Sequence, residues 1–502
     1  MAKICLCLTG RTLARDLEIL KKFRKYIDVA ELRADYLDPD ERFHIRKFPA
    51  MAGLPVILTV RRERDGGKYT GAESARITLL SNGLAFAEAD RRMNFAYVDI
   101  EEDLDVASLE EAARAFGTKI IRSYHNFNGV DTGLASKLRG LLRVGDEIAK
   151  VAVMPLSLKD VKLVYQAARQ TKNIEKILLC MGDYGVNTRI LAGYMGCHLS
   201  YTTVKGEADI PIASSGQLDP RELSELYRFK EITPKTKIFA ATGFPLKVSV
   251  GPKFFNPVFN HEKIDAVYIP IPSDSIEFFL QLGTDIGLSG ASITFPYTEA
   301  VLPYLTSQSD DVDSIGACNV IVKEAQGWQG YNTDAKGFSD ALLDIFRLKD
   351  LHGKKICIIG AGGMARAAAS EVFRLKGKAL ILNRTELRAR DLAVPYNFAW
   401  GRLDRESLKM MKKYTDIIIQ ATSVGMEPDI EQDPLWFYEF SGKELVADLI
   451  YKPEKTRCLA RAEQAGCKIL NGYDILLRQA QYQYKYFMGK EFSSSLINKL
   501  EF

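Results

Sequence analysis

Between residues 3 and 229, short apolar runs of strand length alternate with segments whose apolar residues recur at helical spacing. Few architectures accommodate that rhythm. The runs are 4–8, 29–32, 56–60, 96–100, 118–122, 148–154, 176–180 and a weaker one at 199–203. Helical spacing marks 14–26, 72–91, 104–116, 132–142 and 158–170. Strand followed by helix favours a parallel sheet, and about eight such units predict a (β/α)₈ TIM barrel. Its expected extent is 1–229.

Reactive side chains of such barrels gather at the carboxyl ends of the strands. The sixth run, Ile148-Ala149-Lys150-Val151-Ala152-Val153-Met154-Pro155, holds one lysine that shares a face with Ala152 and Met154. Desolvation disfavours an ammonium, and a neutral amine can form a Schiff base with a ketone. The alternative for a lone lysine is to extend its head to water. Its company argues against that. The other strand ends carry Glu31-Leu32-Arg33-Ala34-Asp35, Arg61 to Asp65, Ser123-Tyr124-His125-Asn126-Phe127, Arg189 and Ser214-Ser215-Gly216-Gln217. Together they describe a pocket for a small anionic carbonyl compound, with cations for its carboxylate and a base beside the lysine.

Charge narrows the partners further. The chain has 68 basic and 64 acidic residues, so nothing calls for nucleic acid or an anionic membrane. No stretch approaches membrane-spanning length. The eight cysteines are scattered without metal-binding spacing, which predicts reduced thiols in a cytoplasmic protein and no metal site.

The polar segment 230–237 has the composition of a linker, and a strand at 238–241 opens a second α/β region. Further on, a strand at 354–359 runs into Gly360-Ala361-Gly362-Gly363-Met364 and then a helix over 367–375. That order lets backbone N–H groups at a helix N-terminus meet a pyrophosphate. The next strand, 379–382, ends in Asn383-Arg384-Thr385, where an NAD site would carry an acid. A guanidinium there attracts a 2′-phosphate, so the expected cofactor is NADP.

Five spaced motifs of the first half resemble type I 3-dehydroquinate dehydratase: Glu31 to Asp35, Thr59-Val60-Arg61, Ser123 to Phe127, Lys150 to Pro155 and Gly216-Gln217. The resemblance implies that Lys150 forms an imine with 3-dehydroquinate and that His125 moves the adjacent proton. It also implies that Glu31, Arg33, Arg61, Arg189 and Gln217 hold the substrate. Asp65 stands where the family usually has a glutamate reaching the histidine, and Ala213 where it often has serine.

The second half resembles shikimate dehydrogenase. The motifs are Ile315 to Asn319, Gly330 to Asp334, Gly360 to Arg366, Asn383 to Thr385, Ala421 to Met426, Asp448 to Pro453 and Gly472 to Ala480. The resemblance implies a two-lobed α/β dehydrogenase with a substrate-binding domain at 237–335, a Rossmann NADP-binding domain at 336–475 and a returning helix at about 476–502. Carried over, Ser249, Thr294, Asn319, Asp334, Tyr451 and Gln479 surround 3-dehydroshikimate or shikimate, with Asp334 catalytic. Gly360 to Met364, Asn383, Arg384, Thr385, Thr422 and Gly425 hold the cofactor. Two positions depart: Thr298 replaces the family's lysine, and Gly251 replaces the second serine of Ser-x-Ser. The fusion resembles bifunctional enzymes that catalyse two consecutive steps of the shikimate pathway. Thr298 leaves open a second half that is slow, binds NADP without turnover, or acts on another small hydroxy acid.

Overall fold

The computed structural model describes residues 1–84, 90–246 and 250–492. They fall into two compact units that divide after Leu288.

In the first unit, eight parallel strands stand in the order β7-β6-β5-β4-β3-β2-β1-β8. They are β1 (Lys3–Leu8), β2 (Val29–Arg33), β3 (Val56–Thr59), β4 (Tyr97–Glu101), β5 (Lys119–Asn126), β6 (Ile148–Val153), β7 (Lys176–Cys180) and β8 (Leu199–Thr202). β1 pairs with β8, and the ring nearly closes where the Lys176 carbonyl accepts from His198 N–H at 2.7 Å. The fold is the expected (β/α)₈ barrel. Its interior is filled by side chains that the two-residue period points inward, among them Cys5, Val29, Ile57, Tyr97, Ile121, Ile148, Ile177 and Leu199. Helices such as Leu13–Phe23, capped by Thr12, and Leu158–Gln170 cover the outside with their buried apolar stripes.

β5 is longer than its apolar run suggests, so His125 lies on the strand itself. Register places Ser123 opposite Lys150 and His125 opposite Ala152, which brings all of them to the barrel's inner face. The first compact unit continues past the segment 230–237. After a 3-10 turn at Phe229–Glu231 come β9 (Lys237–Thr242) and β10 (Ala266–Pro270), a parallel pair. The helix Ile276–Ile286 then packs against the barrel helix Leu158–Gln170. There Lys162 Nζ donates to Gln281 Oε1 at 3.0 Å, and Leu158 N–H to Asp274 Oδ1 at 3.0 Å.

The second unit opens with β11 (Leu288–Ile293), β12 (Ser307–Gln308), β13 (Val320–Glu324) and β14 (Gly327–Tyr331), of which β11, β13 and β14 pair antiparallel in succession. Six parallel strands follow: β15 (Lys355–Ile359), β16 (Lys378–Asn383), β17 (Ala399–Arg402), β18 (Ile417–Gln420), β19 (Leu445–Asp448) and β20 (Lys468–Leu470). Their order, β17-β16-β15-β18-β19-β20, is that of a Rossmann sheet, with the chain switching sides between β15 and β18. Ile356, Ile358, Ala368, Ile381, Ile417 and Ile419 share the core of this sheet. The returning helix is Gly472–Met488, capped by Asn471, whose Oδ1 accepts from Tyr473 N–H at 3.1 Å.

Candidate active sites

The barrel's carboxyl end encloses a cavity lined by Glu31, Arg33, Arg61, Asp65, His125, Lys150, Arg189 and Gln217, together with Cys7, Phe127, Tyr201 and others. Every expected residue of the first site therefore lines one pocket. Their partners differ in a way that sorts their roles.

Lys150 is buried, with Nζ 2.7 Å from Asp99 Oδ2 and 3.9 Å from Glu31 Oε1, and it lies over the Tyr201 ring. A buried ammonium needs such a partner to offset its lost hydration. Asp99 also accepts from Ser123 Oγ at 2.6 Å and lies 2.7 Å from Arg61. Burial opposes its charge, yet Arg61, then Lys150 and His125, hold its carboxyl well below the usual range. His125 moves down too, through burial first and then through Arg61 and Lys150, so its imidazole is neutral at neutral pH. A neutral imidazole is what a general base must be.

Arg33 is committed to Asp35 by two hydrogen bonds, at 2.9 and 2.8 Å. Arg61 is committed to Asp99 and Glu101. Arg189 has no acid among the described residues. Its Nη2 donates only to Ser214 Oγ at 3.4 Å and Ser215 O at 3.3 Å, its Nε has no partner, and burial pushes it down to about 10. A buried guanidinium without a counter-ion is a receptor for an anion. Gln217 donates to Cys7 Sγ at 3.4 Å and leaves Oε1 without a partner. Glu31 is fixed by Thr59 Oγ1 at 2.8 Å and Cys7 Sγ at 3.1 Å.

Asp65 behaves differently from the others. It lines the cavity, but its Oδ2 accepts from Arg62 Nε at 2.6 Å, while His125 Nδ1 has no partner. Asp99 and Glu101 were not legible as site residues. Their signal was two acids at alternate positions of a buried strand.

In the second unit, Asn319 Nδ2 donates to Asp334 Oδ1 at 2.5 Å and to Thr333 Oγ1 at 3.0 Å. Burial, only partly countered by Asn319, pushes Asp334 up to about 6. Gln479 donates to Met364 Sδ at 3.7 Å, which links an expected substrate residue to the glycine turn. Thr298 approaches the same turn: a Cβ on Gly363 would sit 3.5 Å from its Oγ1. Its carbonyl accepts from Cys318 N–H at 2.8 Å, one residue before Asn319. Thr294 is exposed, Tyr451 is half-buried with its phenol pushed up by burial, and Ser249 lies outside the described residues.

The expected cofactor residues collect at the carboxyl ends of β15, β16 and β18. Gly360 follows β15 with φ +117°, and a Cβ there would sit 2.8 Å from the Ala421 carbonyl oxygen. Only glycine fits that turn. Gly362 caps the helix Gly363–Arg374 and faces open space, so backbone can approach a phosphate. Asn383 Nδ2 bridges to Thr385 O at 2.9 Å across an exposed Arg384, and Thr422 N–H donates to Gln420 Oε1 at 2.6 Å. Gly425 takes φ +95°. These residues fit a dinucleotide whose ribose carries a phosphate.

Comparison with known proteins agrees. The family model for type I 3-dehydroquinase matches residues 4–234. Those for the shikimate dehydrogenase substrate binding domain and for shikimate / quinate 5-dehydrogenase match 241–321 and 343–433. The shikimate dehydrogenase (NADP(+)) of Thermococcus kodakarensis is 34% identical over 51% of this chain and 92% of its own. The chain belongs to the shikimate dehydrogenase family, and its first half matches the type I 3-dehydroquinase model. Similarity also runs through both halves at once. The bifunctional 3-dehydroquinate dehydratase/shikimate dehydrogenase of Arabidopsis thaliana, a chloroplastic protein, is 29% identical over 92% of this chain and 78% of its own. The structure of shikimate dehydrogenase from Aquifex aeolicus is similar with a TM-score of 0.50 at 28% identity, over 53% of this chain and 98% of the other.

Proposed function

We propose that this one chain dehydrates 3-dehydroquinate to 3-dehydroshikimate and reduces that product to shikimate with NADPH. The carrying observation is the pairing, in a single cavity, of a strand lysine, a neutral histidine and an arginine without an acid. In this reading the substrate's carboxylate meets Arg189, and its ketone meets Lys150. The amine adds to the carbonyl carbon and water leaves, giving an imine that draws electron density from the neighbouring C–H bond. His125 takes that proton. It then returns it to the departing hydroxyl, so a second water leaves as the double bond forms. Hydrolysis of the imine frees the product and restores Lys150. Asp99 stays paired with Arg61 throughout, so the lysine can lose its charge without orphaning the acid.

For the second step, Gly360, Gly362, Arg384, Thr385 and Thr422 would hold the cofactor, which supplies hydride to the ketone when bound. The remaining task is the proton on the reduced oxygen, and we assign it to Asp334, the buried acid that Asn319 orients. The reading in which this half is a weak dehydrogenase finds no support in the comparisons, although Thr298 does stand in the lysine's place. No helix of the described residues is long and apolar enough to cross a membrane. With all eight cysteines free and buried, we place the enzyme in the cytoplasm.

The choice of NADP gives a direct test. Replacing Arg384 with alanine should weaken NADP binding roughly ten- to a hundred-fold, the worth of a hydrogen bond to a charged group, and leave NAD unaffected. Fluorescence titration of both cofactors measures this. Equal dissociation constants for NADP and NAD in the unaltered chain would overturn the assignment.

A further inference from the structure

His125 must aim a ring nitrogen at the reacting carbon, and an imidazole is normally aimed by a hydrogen bond to its other nitrogen. Here Nδ1 is buried without such a bond. The nearest acid by sequence expectation, Asp65, is turned to Arg62 at 2.6 Å. What the ring does touch is Phe127, two residues along, nearly parallel to it at 14° with centroids 6.5 Å apart. Offset stacking of this kind is attractive within that range.

Phe127 is itself supported at the tip of its ring. A Cβ on Gly66 would lie 2.5, 3.1 and 3.4 Å from three atoms of its ring, so the phenyl rests directly on the glycine. Gly66 closes the turn Glu63–Asp65 in the left-handed region, φ +78°, where glycine carries no strain. The turn in which Asp65 pairs with Arg62 is thus the turn that supports Phe127.

We propose that Phe127, held by Gly66, is the positioning residue for His125, in the place that a hydrogen-bonded acid would otherwise take. The inference rests on the reading of His125 as the group that moves the proton. A flat face restricts rotation of the imidazole, and misplacing a proton-transfer group by about an ångström can cost on the order of a hundredfold. Phe127 lines the cavity but offers the substrate's carboxylate no donor, so the loss of positioning is expected in kcat.

The experiment measures dehydratase kcat and KM for Phe127→Leu, Phe127→Tyr, Asp65→Glu, the pair Asp65→Glu with Phe127→Leu, and His125→Ala. Phe127→Leu keeps apolar bulk but no flat face, and should lower kcat about tenfold or more at similar KM. Phe127→Tyr restores the face and should recover most of that loss. Asp65→Glu lengthens the acid, so the leucine replacement should cost less in that background. Phe127 is 39% exposed, and an unchanged thermal unfolding profile separates lost positioning from lost folding. Unchanged kcat in Phe127→Leu, a loss confined to KM, or no recovery in Phe127→Tyr would overturn the proposal. Full activity in His125→Ala would instead remove the reading beneath it.

Discussion

Dehydration should stop when Lys150 is replaced by alanine. The expected loss is on the order of a millionfold, the scale on which removing a covalent nucleophile acts. Borohydride added during turnover should trap an adduct on Lys150 in the unaltered chain, read by mass spectrometry of the digested peptide, and none in the variant. The protein should still fold, because Asp99 keeps Arg61 at 2.7 Å and Ser123 Oγ at 2.6 Å when the ammonium is gone. A buried acid left alone would cost several kcal/mol, but this one is not left alone. An active Lys150→Ala enzyme would end the Schiff-base account.

Replacing Asp334 with asparagine should slow both directions of the dehydrogenase about a hundred- to ten-thousand-fold, the range of general acid–base help. The pH dependence carries the sign. Burial sets Asp334 near 6, so oxidation of shikimate, which needs the carboxylate, should fall as pH drops through about 6. Reduction of 3-dehydroshikimate needs the protonated acid and should fall as pH rises past the same point. Thr298→Lys would add a cation close to the Asn319–Asp334 pair, lower the acid's pKa, and move both limbs to lower pH. Profiles of kcat for the three proteins test this, and identical limbs in the unaltered chain and Asp334→Asn would refute the assignment.

Much of this was legible in the sequence because the chemistry sits on regular spacing. The barrel followed from strand and helix alternation, and the rim residues from their places at strand ends. Gly360 announced a turn that no side chain could occupy, as the approach of the Ala421 carbonyl explains. Three things were not legible. Asp99 sat inside the apolar run 96–100, and only register across β4, β5 and β6 sets it beside Lys150. Asp65 read as the histidine's partner, because the bond that a short side chain inside a turn makes to Arg62 is not written in its position. The continuation of the first compact unit past the polar segment 230–237 to Leu288 rests on contacts such as Lys162 with Gln281, 119 residues apart. Local composition does not carry such pairings.

The central claim is that one chain carries out both steps in succession. The most direct test mixes this 502-residue chain with 3-dehydroquinate and NADPH and follows cofactor absorbance while products are separated by chromatography. The account predicts shikimate as the end product, with one NADPH consumed for each molecule formed and none consumed by the Lys150→Ala protein. Accumulation of 3-dehydroshikimate with NADPH untouched would contradict it.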